Sequence, residues 1–373
     1  MITFQLNLFG SGSVYLDILQ FLFIAVPWIV LLFWGQRLQV SVTLGQVSRN
    51  LTRLKMLRDK SKQVLVSYVA PKTATDSNTT SRLDDFLEYF TIPPVSMDPV
   101  GVVKRFDSII TTQDKRIKKE VEDLLPNTDR VGRSVAEQMV GIASALNQIF
   151  KIVRHYYFLG KKGSNYYLLA QLQMIMPMLL KQAEALVNAM PTLEMGQPLG
   201  DGIGPMAVAL LMKDRDKVEI GTETVMAESE YKGRKLIFLK AQGPEGNVGE
   251  VDDALIKIAS DQHKDISAII MIDAALKLEG EKTGEVSEGV GAAIGGYGIE
   301  KFKIEQLAFE KKVPVYAVVV KESIVEAIGA MRKEIAESVK TVQESVFRII
   351  EERVPENGKV VVVGVGNTLG VAQ

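Results

Sequence analysis

The sequence predicts an α/β protein in three parts: an N-terminal transmembrane helix, a helical middle region, and a C-terminal, mostly parallel α/β/α domain. Positions 15–34 are twenty residues with one charge, Asp17, near their start. At a helical rise of 1.5 Å per residue they would cross ~30 Å of hydrocarbon. Positions 82–190 read as helical, interrupted at Ile92-Pro-Pro-Val-Ser-Met-Asp-Pro99 and Leu125-Pro126-Asn127. Beyond 195 short β-rich runs alternate with helical stretches and are separated by glycine loops, the pattern of an α/β domain. The expected boundaries are 1–36 for the anchor, 37–190 for the stalk and middle region, and 191–373 for the α/β domain.

The length of 373 residues allows two or three structural units. A net charge of −1 argues against chain-wide attraction to nucleic acid, and none is expected as a partner. The absence of cysteine removes disulfides, thiol catalysis and cysteine metal sites.

Positions 1–14 carry no Lys or Arg, so a secretory signal lacks its positive start. Seven Lys or Arg follow between 37 and 62. By the positive-inside rule this predicts a single-pass cell-membrane protein, touching lipid through 15–34, with the bulk of the chain cytoplasmic. Leu44, Val47, Leu51, Leu54 and Leu57 recur at helical spacing, and the polar stretch 71–81 reads as a flexible loop. The runs 135–158 and 166–190 are apolar but hold too many polar residues for spans, so they are expected to be core or subunit-packing helices of a homo-oligomer. Met174, Met176 and Met178 read as adaptable core.

In the last part, 222–230 and 234–240 form a predicted hairpin through Tyr231-Lys232-Gly233. A glycine loop (243–249), a helix (about 250–261) and an apolar strand (266–272) follow. Next come a glycine loop (289–298) leading to a helix, a strand (313–320), one long amphipathic helix (322–353) and a strand (359–363) that is apolar on both faces and therefore expected between helix layers.

Chemistry is expected where strands end. Gly196-Gln-Pro-Leu-Gly-Asp201-Gly-Ile-Gly-Pro205 holds a carboxylate on a sterically open backbone ahead of an apolar helix, either as an N-cap or as a presented acid. Ile270-Met-Ile-Asp273 places a second carboxylate beyond a buried strand, again as a cap or as a reactive group. Gly243-Pro-Glu-Gly-Asn-Val-Gly249, with Glu245 and Gly246, and Gly364-Val-Gly-Asn367, with Gly366, are expected on the same rim. Two acids in a partly dry crevice can share a proton and activate water, or can bind a divalent metal, so the cofactor is either none or such a metal.

These motifs resemble those of spore germination proteases and, more distantly, hydrogenase maturation endopeptidases. The resemblance rests on Asp201-Gly-Ile-Gly-Pro205, Ile272-Asp-Ala-Ala275, Gly295-Gly-Tyr-Gly-Ile-Glu-Lys301 and Val313-Pro-Val315. It implies a phosphorylase/hydrolase-like fold, a polypeptide substrate, catalytic roles for Asp201 and Asp273, and substrate loops that include Gly202, Gly204, Gly296 and Gly298. Loop 289–301 lacks the histidine that completes the metal set of the maturation enzymes. In both families Gly-x-Gly-Asn immediately precedes the first acid, whereas here it follows at 364–367, which implies a circularly permuted domain. The whole chain also resembles an uncharacterised family of archaeal membrane proteins. The expected function is a membrane-anchored, endopeptidase-like hydrolase; the other expectation is an inactive oligomeric scaffold or ligand-binding protein.

Overall fold

The computed structural model describes residues 14–72, 79–88, 101–260, 265–296 and 298–372. Positions 1–13, the expected break at 92–99, most of the 71–81 loop and His263 lie outside the described residues. The chain divides into two compact units, one of 1–56 with 148–180 and one of 57–147 with 181–373.

Five helices come first: α1 (Val14–Val69), α2 (Thr79–Leu87), α3 (Val102–Leu124), α4 (Arg130–Gly163) and α5 (Tyr166–Glu194). In the first unit Val47 and Leu54, seven residues apart on α1, are fully buried, as are Leu169 and Met176 on α5. Met174 and Met178 do not join that core and are exposed. In the second unit Leu65, Leu83, Leu125, Met139 and Met190 form a helical core that also takes in Leu199 and Leu369.

Among the described residues no helix is long and apolar enough to cross a membrane, so the span expected over 15–34 is not found. Side chains at 16, 17 and 30–33 are outside the described set.

The α/β domain holds α6 (Ile203–Leu211), β1 (Val218–Gly221), β2 (Thr224–Tyr231), β3 (Arg234–Ala241), α7 (Val251–Ser260), β4 (Ile266–Leu276) and β5 (Val286–Val290). It continues with α8 (Ile299–Lys311), β6 (Val315–Glu322), α9 (Ile324–Ile328), α10 (Lys333–Glu337), α11 (Val339–Arg353) and β7 (Lys359–Gly364). Sheet order is β1-β2-β3-β7-β4-β6-β5. Strands β3, β7, β4 and β6 are mutually parallel, while β1–β2–β3 is an antiparallel meander and β5 runs antiparallel to β6.

Helices α6 and α11 cover one face, packing on Phe238, Ile270, Val318, Val360 and Val362. Helices α7 and α8 cover the other, on Leu239, Ile269, Met271, Val361 and Val363. Consecutive valines of β7 therefore point alternately into two cores, which is why its sequence shows no polar alternation.

Two expectations are corrected. The single helix over 322–353 is three helices: Ser323 takes an extended backbone and forms a capping box with Glu326, Gly329 is extended, and a further break falls at Ser338. Strands β1 and β5 are additional to the expected strands, β5 running into the loop expected at 289–298; both are largely exposed edge strands, which lack the buried apolar run that marks the central ones.

Val360, Val361, Val362 and Val363 are all fully buried. At ~1.5–3 kcal/mol per buried valine, their loss rivals the net stability of a domain. A chain lacking 359–373 is expected to show no cooperative unfolding transition of the α/β domain by circular dichroism; an unchanged Tm would contradict a central β7.

Candidate functional site

The rim at the C-terminal ends of β3, β7, β4 and β6 gathers segments far apart in sequence. Asp201 sits in a 3-10 turn, Gly200–Gly202, that runs directly into α6. This turn lies on the sheet backbone itself. A Cβ at Gly204 would stand 2.4 Å from the Ile272 carbonyl oxygen and 2.3 Å from that of Val365; one at Gly366, whose φ is +130°, would stand 2.0 Å from the Asp201 carbonyl oxygen. Only glycine fits either place. Gly202 is packed against the Asn367 carbonyl in the same way.

The Asp201 side chain is not the cap of α6: Gly202 occupies that position and no side chain caps it. Instead its Oδ2 accepts a hydrogen bond from the backbone N–H of Asn367 at 3.0 Å. The Asn367 amide in turn donates from Nδ2 to the Gly246 carbonyl and to Gln138 Oε1, both at 3.1 Å, while its Oδ1 accepts from the Leu369 N–H at 2.8 Å. One asparagine thus ties the segment after β7 to the 243–249 loop, α4 and the Asp201 turn.

Asp273 lies inside β4, opposite Val319 of β6, and the strand continues to Leu276. It is buried, and its Oδ1 accepts the N–H of Ala274 at 2.8 Å. A third acid, Glu322, closes β6 opposite Leu276. It is 2% exposed, and neither of its carboxyl oxygens has a hydrogen-bond partner. Its Oε2 faces Gly200, where a Cβ would lie only 2.5 Å away.

These groups titrate as a set. Burial raises Asp201 above the usual carboxylate range, opposed by the Asn367 N–H. Burial and then the charge of Asp201 push Asp273 well above it. The same two causes, with Glu326 adding to them, push Glu322 up to about 8. When Asp201 is ionised, its charge favours the protonated forms of the other two. Glu326 behaves oppositely: burial opposes its charge, but hydrogen bonds from Ser323, Thr283 and Arg332 hold it down to about 2.

Beside Asp201 opens an apolar cavity of about 380 Å³, lined by Ile142, Leu186, Leu193, Leu199 and Ile328 among others, with Gln138, Asp201 and Asn367 as its polar side chains. A solute here meets hydrocarbon on most sides and one carboxylate.

The structure brings together Asp201, Asp273, Gly202, Gly204, Gly246, Gly366 and Asn367. Glu245 is turned to other work, accepting from Asn247 Nδ2 at 3.1 Å and pairing with Arg130 at 3.4 Å. Gly296 and Gly298 stand apart: both are exposed at the start of α8, and Glu300 alone approaches where a Cβ of Gly296 would be. Their φ of +86° accounts for the glycines without a ligand. Among the described residues no group of three or more His, Cys, Asp or Glu side chains is arranged to hold a metal ion. Sequence reasoning missed Glu322 and Gln138. An acid two residues beyond the apolar run that ends at Val320 was the available signal for Glu322; Gln138, 229 residues from Asn367, offered none.

A carboxyl whose folded pKa is raised binds its proton more tightly folded than unfolded, so stability is full below the unfolded value and is lost as pH rises through the folded one. For Glu322 that window runs from its usual 4.5 to about 8. Glu322→Gln, which imitates the protonated form, is expected to raise Tm at pH 9 by the equivalent of roughly 3–5 kcal/mol, the gain vanishing below pH 5. Thermal melts across pH check this; a variant less stable than wild type at pH 9 would contradict it.

No curated protein and no solved structure matches the chain. Two family models do. Residues 21–196 match "Protein of unknown function (DUF1512) N-terminal domain" and residues 199–372 match "Domain of unknown function (DUF1512) C-terminal", the junction falling just ahead of Asp201. Together they account for nearly the whole chain, which belongs to the DUF1512 family.

Proposed function

We propose that this chain is a hydrolase of polypeptides that uses Asp201 and Asp273 to activate water. The observation that supports it is a set of mutually coupled, buried carboxyls, one of which opens on an apolar cavity. Such coupling separates acid from base at neutral pH. Ionised Asp201 takes a proton from water as the water oxygen attacks the peptide carbonyl carbon, and protonated Asp273 donates to the carbonyl oxygen. On collapse the C–N bond breaks, the amine leaves with the proton from Asp201, and Asp273 recovers its own from the hydroxyl.

The germination-protease-like, circularly permuted character of the domain belongs to the same proposal, supported by β7 lying beside β4 with Asn367 on Asp201. So does anchoring through 15–34, supported by the exposure of Phe21, Phe23, Trp28 and Trp34 on α1. With detergent-purified chain and a library of apolar peptides, Asp201→Asn and Asp273→Asn are each expected to lower cleavage at least ~10³-fold with Tm retained. Wild-type chain without cleavage, or either variant with full activity, would refute the acid pair; saturable peptide binding without cleavage would favour a binding protein instead.

For topology, protease added to sealed right-side-out cells is expected to spare everything after residue 71. Cleavage there would reverse the orientation.

A further inference from the structure

Residues 148–180 are the end of the α4–α5 hairpin and belong to the first compact unit. The turn is tight: Asn165 N–H donates to the Gly160 carbonyl at 3.0 Å, and Asn165 Oδ1 accepts from Leu168 N–H at 3.1 Å. Around it Phe158, Leu159, Tyr167, Met174 and Met178 each expose half or more of their surface. A hairpin solvated on all sides would not carry such a patch.

Charge is an independent observation. The chain has 45 Asp and Glu, yet none between 138 and 183, where every charge is Lys or Arg. The stretch 18–56 in the same unit also lacks an acid. The unit of 1–56 with 148–180 holds eight Lys or Arg against the single acid Asp17, a net +7; the other unit carries −8 of the chain total of −1.

We propose that the 148–180 hairpin end is a binding surface for anionic lipid head groups, distinct from the apolar segment of α1. Tyr156, Tyr157 and Phe158 precede the turn and Tyr166 and Tyr167 follow it, with Lys161 and Lys162 between. Amphipathic rings of this kind settle at the head-group level while lysines pair with phosphates. Nucleic acid would satisfy the charge but could not bury Leu159, Met174 and Met178. A second copy would bury them but brings the same positive charge against itself. The inference stands whether or not the site at Asp201 hydrolyses anything.

Because the chain has no cysteine, Met174→Cys supplies one attachment point for a polarity-sensitive fluorophore, with Phe309→Cys on α8, 84% exposed, as control. The full-length protein is mixed with vesicles of phosphatidylcholine, with and without phosphatidylglycerol. With the anionic lipid, emission from position 174 is expected to shift to the blue and to be quenched by nitroxide-labelled lipid, while position 309 stays unchanged. Adding Lys161→Gln and Lys162→Gln is expected to lower the equilibrium constant for hairpin engagement ~30-fold. The proposal is overturned if position 174 stays solvated with anionic vesicles. It is equally overturned if the shift follows protein concentration without lipid, as a subunit interface would, or follows an added oligonucleotide.

Discussion

Insertion of β7 between β3 and β4 is the constraint on which the rest of the α/β domain depends. Its six residues pair in unbroken register with β3 and, after a register shift between Ile266 and Ala268, with β4, so that Ile237 and Ile269 flank Val361 and Leu239 and Met271 flank Val363. Without it the sheet would be two separate pieces, an antiparallel meander and a β4–β6–β5 ribbon, each with a raw edge. Both helix layers rest partly on its valines. The backbone that leaves β7 is also what shapes the rim: Val365 N–H bonds the Ile272 carbonyl at 2.8 Å, and two residues later Asn367 reaches Asp201. Sheet closure and carboxylate placement are thus one event.

Electrostatics at that rim turn on the short joint between β6 and α9. Glu322 and Glu326 are four residues apart, similarly buried, and shifted in opposite directions. Glu326 has reached the capping box of α9, where a backbone N–H, hydroxyls and Arg332 solvate its charge. Glu322 is still strand, facing glycine backbone and two other acids, and nothing solvates it. A buried carboxyl without a partner costs stability in the ionised state, and removing it should be tolerated structurally. Its presence is better explained by what surrounds Asp201 than by the fold.

How far the sequence could be read follows from burial. Strands β3, β4, β6 and β7 are β-branched or apolar because helices cover both faces, and each was visible. Strands β1 and β5 face water, so the composition that would mark them is missing. Asp201 and Asn367 were legible through glycine-rich turns, whose small residues are demanded by backbone approach, and Asp273 through the apolar run that precedes it. Glu322 was concealed by assignment to the start of a helix, and Gln138 by its place on α4, in a region whose periodicity describes packing and carries no trace of a hydrogen bond to a distant loop.

The position of β7 in the order of the strands has a bearing on how the domain is made. Six strands leave the ribosome before the one that joins them, so the nascent sheet waits with the edges of β3 and β4 open and with the faces meant for α6 and α11 partly bare. The pairings of β7 with β3 and β4 span longer stretches of chain than the other pairings of the sheet, and such non-local contacts carry the largest loop-closure cost. Asp201, translated long before Asn367, has until then no amide to receive its charge. The acid cluster is assembled only when the gap is filled, so a half-made domain lacks the rim on which Asp201, Asp273 and Glu322 influence one another.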